Sequence, residues 1–93
     1  MLKVYGMRIC PDTVECCEAL KKAGVEFEYL DFAEKTANLK AFLKLRDSSP
    51  LFDDARREGN IGIPCIQRED GSVTLDWHAI CQGYFSPMEQ ICK

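Results

Sequence analysis

Residues 2–6, Leu-Lys-Val-Tyr-Gly, are apolar and β-prone and end on glycine, which predicts a first strand. Pro11 fits the first turn of a helix, where its missing N–H costs nothing. From there Thr13, Cys16 or Cys17, Leu20 and Ala23 recur at helical spacing, so a helix is expected from Pro11 to about Lys22, stopped by Gly24. Residues 25–32, Val-Glu-Phe-Glu-Tyr-Leu-Asp-Phe, alternate apolar and acidic over their first half and predict a second strand. Thr36 can cap a long helix, Ala37 to about Arg46, that offers Leu39, Phe42, Leu43 and Leu45 to the core. Asp-Ser-Ser-Pro at 47–50 breaks it, and Ser49 with Pro50 opens a further helix that Gly59 stops. Residues 63–67 and 72–75 read as short strands joined by an Arg-Glu-Asp-Gly turn, a hairpin. Asp76 is a good N-cap for a helix from Trp77 to about Gln82, and residues 86–89 restart a short terminal helix.

The order of elements is therefore β-α-β-α-α-β-β-α, an α/β chain. The first two strands are joined through a helix and should pair in parallel; the last two form a hairpin. A four-stranded mixed sheet follows, with helices on both faces, because a parallel pair must be covered on each side. All 93 residues fit one small domain, 1–93, with no linker, repeat or low-complexity segment.

Composition narrows the function classes. A net charge of −3 argues against nucleic acid as a partner. The apolar runs are too short to cross a bilayer, and the N-terminus lacks the long apolar stretch of a signal peptide. The expected location is the cytoplasm, where thiols stay reduced. Six cysteines in so short a chain raise the alternative of a secreted disulfide scaffold, which the long regular segments and absent export signal disfavour. No metal site is expected: no Cys-x-x-Cys pair exists, and the only histidine, His78, stands three residues before Cys81.

Four stretches then point to one family. Val-Tyr-Gly-Met-Arg-Ile-Cys-Pro-Asp-Thr, residues 4–13, places Cys-Pro at the junction of first strand and first helix. Residues 25–32 supply the strand that follows. Ile-Gly-Ile-Pro-Cys-Ile at 61–66 places Ile-Pro before a hairpin, and residues 70–80 supply the hairpin and the start of the last helix. This combination, covering nearly the whole chain, resembles a glutaredoxin of the thioredoxin fold. In two respects it departs from the common form. Thr13 stands where dithiol members carry a second cysteine, and the helix predicted at 50–59 is additional, which resembles a divergent bacterial glutaredoxin-related group.

The chemistry expected at Cys10 follows from its position. A helix N-terminus presents free N–H groups and a positive dipole end, which favour a thiolate; Arg8 adds a cation nearby and Asp12 opposes it. Thr13, one turn on, can donate its hydroxyl to that thiolate but cannot attack a mixed disulfide. Buried structural packing is the alternative for Cys10, and helix-start packing the alternative for Thr13. The resemblance implies catalysis by Cys10 with Thr13 beside it. It also implies a glutathione-binding set of Arg8, Pro11, Ile63, Pro64 and Asp76, with Pro64 in the cis form. In that set Met7 replaces the lysine often found ahead of the active site, and Thr74-Leu75 replaces a Gly-Gly pair before Asp76. A plain N-cap is the alternative for Asp76. Cys65, next to Pro64, is the candidate resolving thiol, with a core position as its alternative. Cys16 is expected in the core, Cys17 nearer the surface, Cys81 in the core and Cys92 at the terminus.

The implied activity is thiol–disulfide exchange through a single cysteine, with glutathione or another small thiol as co-substrate, no permanently bound cofactor, and a monomeric chain acting on small thiol and disulfide substrates. Two other classes stay open. Single-cysteine glutaredoxins can share an iron–sulfur cluster between two chains, and a thioredoxin fold that has lost its chemistry can serve as an interaction domain.

Overall fold

The computed structural model describes residues 1–84, so the short helix expected at 86–89 and Cys92 lie outside the described residues. Nine elements follow one another: β1 (Leu2–Gly6), α1 (Pro11–Lys22), β2 (Phe27–Asp31), α2 (Thr36–Ser48), a 3₁₀ turn (Pro50–Phe52), α3 (Asp53–Glu58), β3 (Cys65–Gln67), β4 (Val73–Thr74) and α4 (Trp77–Tyr84). The sheet runs in the order β2-β1-β3-β4. β1 and β2 are parallel, with Leu2 opposite Phe27 and Gly6 opposite Asp31. β3 runs antiparallel to β1, with Val4 opposite Ile66 and Tyr5 opposite Cys65, and β4 completes the hairpin. The mixed four-stranded sheet expected from the order of elements is therefore present.

Alternation along β1 and β3 divides the core in two, because successive side chains of a strand point to opposite faces. Val4 and Ile66 meet Cys16 and Leu20 of α1 and Val25 on one face, with Ile80 and Cys81 of α4 packed against them. Tyr5 and Cys65 meet Phe32, Phe42 and Phe52 on the other. There the Phe42 ring lies 5.1 Å from Phe32, 5.7 Å from Phe52 and 6.2 Å from Tyr5, centroid to centroid. Helices thus cover both faces.

The element boundaries carry two corrections. α2 begins at Thr36 itself, with Lys35 in the N-cap position and no side-chain cap. Its inward stripe is Asn38, Phe42 and Leu45, at spacings of four and three, whereas Leu39 and Leu43 are exposed. Asn38 takes the inner position because its Nδ2 donates to the Asp31 carbonyl at 2.9 Å, closing the end of β2. α1 keeps its expected span, and Gly24 ends it at φ 78°, a left-handed conformation that glycine adopts without steric cost.

Candidate functional site

Cys10 is the N-cap residue of α1. Its backbone is extended (φ −90°, ψ 114°), Pro11 occupies the first turn, and no side chain caps the helix. The Cys10 N–H donates to the Met7 carbonyl at 3.0 Å, and the Cys10 carbonyl accepts the first helical bond, from Val14 at 3.1 Å. The first-turn amides of α1 therefore have no side-chain acceptor. Cys10 itself is half-buried.

The loop that carries Cys10 is anchored from below by Asp31. This carboxylate is 2 % exposed, and its oxygens accept from the Tyr29 hydroxyl at 2.7 Å, the Ala33 N–H at 2.7 Å and the Arg8 N–H at 3.0 Å. The Tyr29 hydroxyl bond above all, with the two backbone amides, holds the Asp31 carboxyl below its usual range. Burial and the same hydrogen bond push the Tyr29 phenol up.

Cys10 opens onto a groove of about 1060 Å³. Met7, Ile9, Asp12 and Glu15 border it on the α1 side; Ala55 and the run Glu58 to Pro64 form the facing wall. Leu75, Trp77 and His78 close the end, with the Trp77 and His78 rings stacked at 3.7 Å between centroids. The Ile63–Pro64 peptide is cis. Gly62, at φ 93°, brings the loop against Phe52, where an added Cβ would stand 2.8 Å from a ring carbon. Arg46 braces the same loop from behind, donating to the carbonyls of Asn60 (2.7 Å) and Ile61 (2.9 Å).

Of the residues expected at the site, the groove gathers Cys10, Ile63 and Pro64. Arg8 does not line the groove: its guanidinium pairs with Glu34 at 3.2 Å, in an adjoining depression that shares Met7 and Ile9 with the groove. Pro11 starts the helix and does not line the groove. The Thr13 hydroxyl, expected at the Cys10 sulfur, has no hydrogen-bond partner; the side chain is 1 % exposed and packed on Gly6, where an added Cβ would lie 2.6 Å from Thr13 Oγ1 and Cγ2. Cys65 is fully buried among Tyr5, Phe32, Phe42 and Phe52, on the sheet face opposite α1, so its thiol is not presented to the groove. The strand period sets its face: within β3 Ile66 points to the α1 side and Cys65 to the other. Asp76 is an N-cap, its Oδ1 accepting from the Ala79 N–H at 3.2 Å, while its neighbours Leu75 and Trp77 reach the groove.

The chain is similar to an uncharacterized protein of Haemophilus influenzae, with 39 % identity over 73 residues, 78 % of this chain and 85 % of that protein. The two belong to one family. No family model matches the sequence, and no solved structure matches it.

In this member of the family the remaining described cysteines stand apart from the groove. Burial pushes the Cys16 and Cys65 thiols up to about 12 and raises Cys17 and Cys81 as well, with Lys21 opposing the rise at Cys17. Three features escaped the reading of the sequence. Asp31 looked like the acidic end of an alternating strand; its place just before the aromatic Phe32 was the available signal. The Trp77–His78 stack and the wall from Glu58 to Gly62 reach Cys10 only through the folded chain, and nothing local marks them.

Proposed function

We propose that this chain is a thiol–disulfide oxidoreductase of the glutaredoxin type, a thioredoxin fold working through Cys10 alone with glutathione or another small thiol as co-substrate. The observation that carries the reading is the meeting of Cys10, at the N-cap of α1, with Ile63 and Pro64 in one groove. The helix end stabilises the thiolate that the chemistry requires. That thiolate attacks the small-thiol sulfur of a mixed disulfide. A bond from Cys10 to the small thiol forms as the original disulfide breaks, and the other half leaves as a thiolate that takes a proton from water. A second small-thiol anion then attacks the mixed disulfide on Cys10, which frees the Cys10 thiolate and yields the disulfide of the small thiol. Each turnover consumes one free small thiol, which ends in a disulfide with the small-thiol half of the substrate, while the other half of the substrate is released reduced. Pro64 has no N–H to compete for the sulfur beside it.

In this reading the resolving thiol is external: among the described residues Cys16 and Cys65 are sealed in the core, and neither Cys17 nor Cys81 lines the groove. A reducing cytoplasm supplies such thiols. The test is turnover of a glutathione mixed disulfide by the wild-type chain, Cys10→Ser and Cys65→Ala. Turnover is expected to vanish in the first variant and persist in the second. A Cys10→Ser chain that still turns over would place the chemistry at another residue, and a wild-type chain that does not turn over would leave the interaction-domain reading in its place.

A further inference from the structure

We infer that the polypeptide half of the disulfide reduced at Cys10 is a cationic segment, a cysteine flanked by lysine or arginine. The inference rests on the exchange reading above and adds the substrate class. Among the described residues the groove is lined by three carboxylates, Asp12, Glu15 and Glu58, and by no lysine or arginine. The nearest cations are engaged elsewhere. Arg8 pairs with Glu34 outside the groove, and Arg46 holds the Asn60 and Ile61 carbonyls from behind the loop. Arg56 bonds Asp53 and the carbonyls of Arg46 and Ser49, and Arg57 bonds Asp54. Asp76, between two lining residues, adds a further negative charge at the closed end.

The carboxylates come from two elements, Asp12 and Glu15 on the first turns of α1 and Glu58 at the end of α3, and all three line the groove onto which Cys10 opens. A cleft lined by one sign of charge concentrates the opposite sign and speeds its capture. The occupant is a polypeptide because the lips are apolar and uncovered. Ile9 is 83 % exposed and Ile61 53 %, and Met7 and Trp77 line the same groove. A polypeptide segment presents apolar surface along its length and can cover both isoleucines while its cysteine meets Cys10.

Three seven-residue peptides would test this, each with one central cysteine carried as its glutathione mixed disulfide and flanked by lysine, glutamine or glutamate. The readout is kcat/KM for release of the peptide thiol, divided by the rate of the same peptide with free glutathione, which removes the intrinsic reactivity of each disulfide. The glutathione half is common to all three and cancels. For the wild-type chain at low salt, the lysine peptide is expected to exceed the glutamate peptide on the order of tenfold. The ratio should shrink as salt screens the groove. It should also shrink in Asp12→Asn/Glu15→Gln/Glu58→Gln, where any change in Cys10 nucleophilicity scales all three rates alike. Turnover of all three peptides at equal normalised rates, or a glutamate preference, would overturn the inference and leave the exchange reading standing. Turnover of none would overturn both.

Discussion

Thr13 is the residue whose two readings differ most in outcome. Its hydroxyl is buried and unpartnered, which costs stability unless it gains a bond. Valine has the same shape without the hydroxyl. Thr13→Val is therefore expected to raise stability by about 1 kcal/mol in urea unfolding, with activity kept. A loss of activity together with a higher Cys10 pKa would instead show that the hydroxyl turns to the sulfur during exchange. Asp31 behaves in the opposite sense. Removing it by Asp31→Ala orphans the Tyr29 hydroxyl and two amides, and should cost about 1–3 kcal/mol while loosening the Cys10 loop. Its folded carboxyl is held below the ordinary range, so its contribution is complete at neutral pH and is lost as pH falls through the carboxylate range. The acid limb of an unfolding-versus-pH curve should be shallower in Asp31→Asn than in the wild type.

Among the elements, α2 packs on its face of the sheet chiefly through Phe42, with Leu45 beside it. Phe42 is fully buried and touches three other rings, whereas its neighbours Leu39 and Leu43 face outward. Phe42→Ala should cost about 3–5 kcal/mol, and Leu43→Ala well under 1 kcal/mol. Similar losses for the two substitutions would mean that α2 packs through a different stripe. The leucines were misplaced for a physical reason. Hydropathy ranks Leu39 above Asn38, but the inward position next to the end of β2 needs a donor for the Asp31 carbonyl, which leucine lacks. β1 meets α1 with similar closeness at Gly6, where there is no room for a methyl group beside Thr13. Gly6→Ala should destabilise by about 1–3 kcal/mol, and combining it with Thr13→Ala should recover part of the loss.

At the scale of the whole molecule the cysteines sort by burial. Cys16 and Cys65 are inaccessible on opposite sheet faces, and Cys10 is the cysteine of the groove. Alkylation of the native chain near neutral pH should mark Cys10 ahead of the other described cysteines, as mass mapping would show. Burial also couples the core thiols to pH. With Cys16 and Cys65 raised to about 12 in the folded chain against an ordinary 9.0, unfolding releases protons above pH 9. The contribution is whole below that pH and declines above it, by roughly 1 kcal/mol per pH unit for each thiol. Urea midpoints should fall between pH 9 and 10.5, and the fall should be smaller in Cys16→Ala/Cys65→Val.

Local sequence by itself determined the order of elements, the span of α1, the glycine stops of α1 and α3 and the cap of α4. Those depend on contacts within a few residues: Pro11 at a helix start, Gly24 and Gly59 in left-handed stops, Asp76 at an N-cap. Cys10 and Pro64 were legible for the same reason, since each announces its place by the residue beside it. What only the tertiary structure decided is where side chains more than a turn apart meet. Arg8 turned to Glu34 because the loop is pinned to Asp31, and Cys65 faced away because the strand period sets its side. The acidic groove was assembled from α1, α3 and the Ile63–Pro64 loop, and its charges, carried by α1 and α3, share no local pattern and meet only in the folded chain.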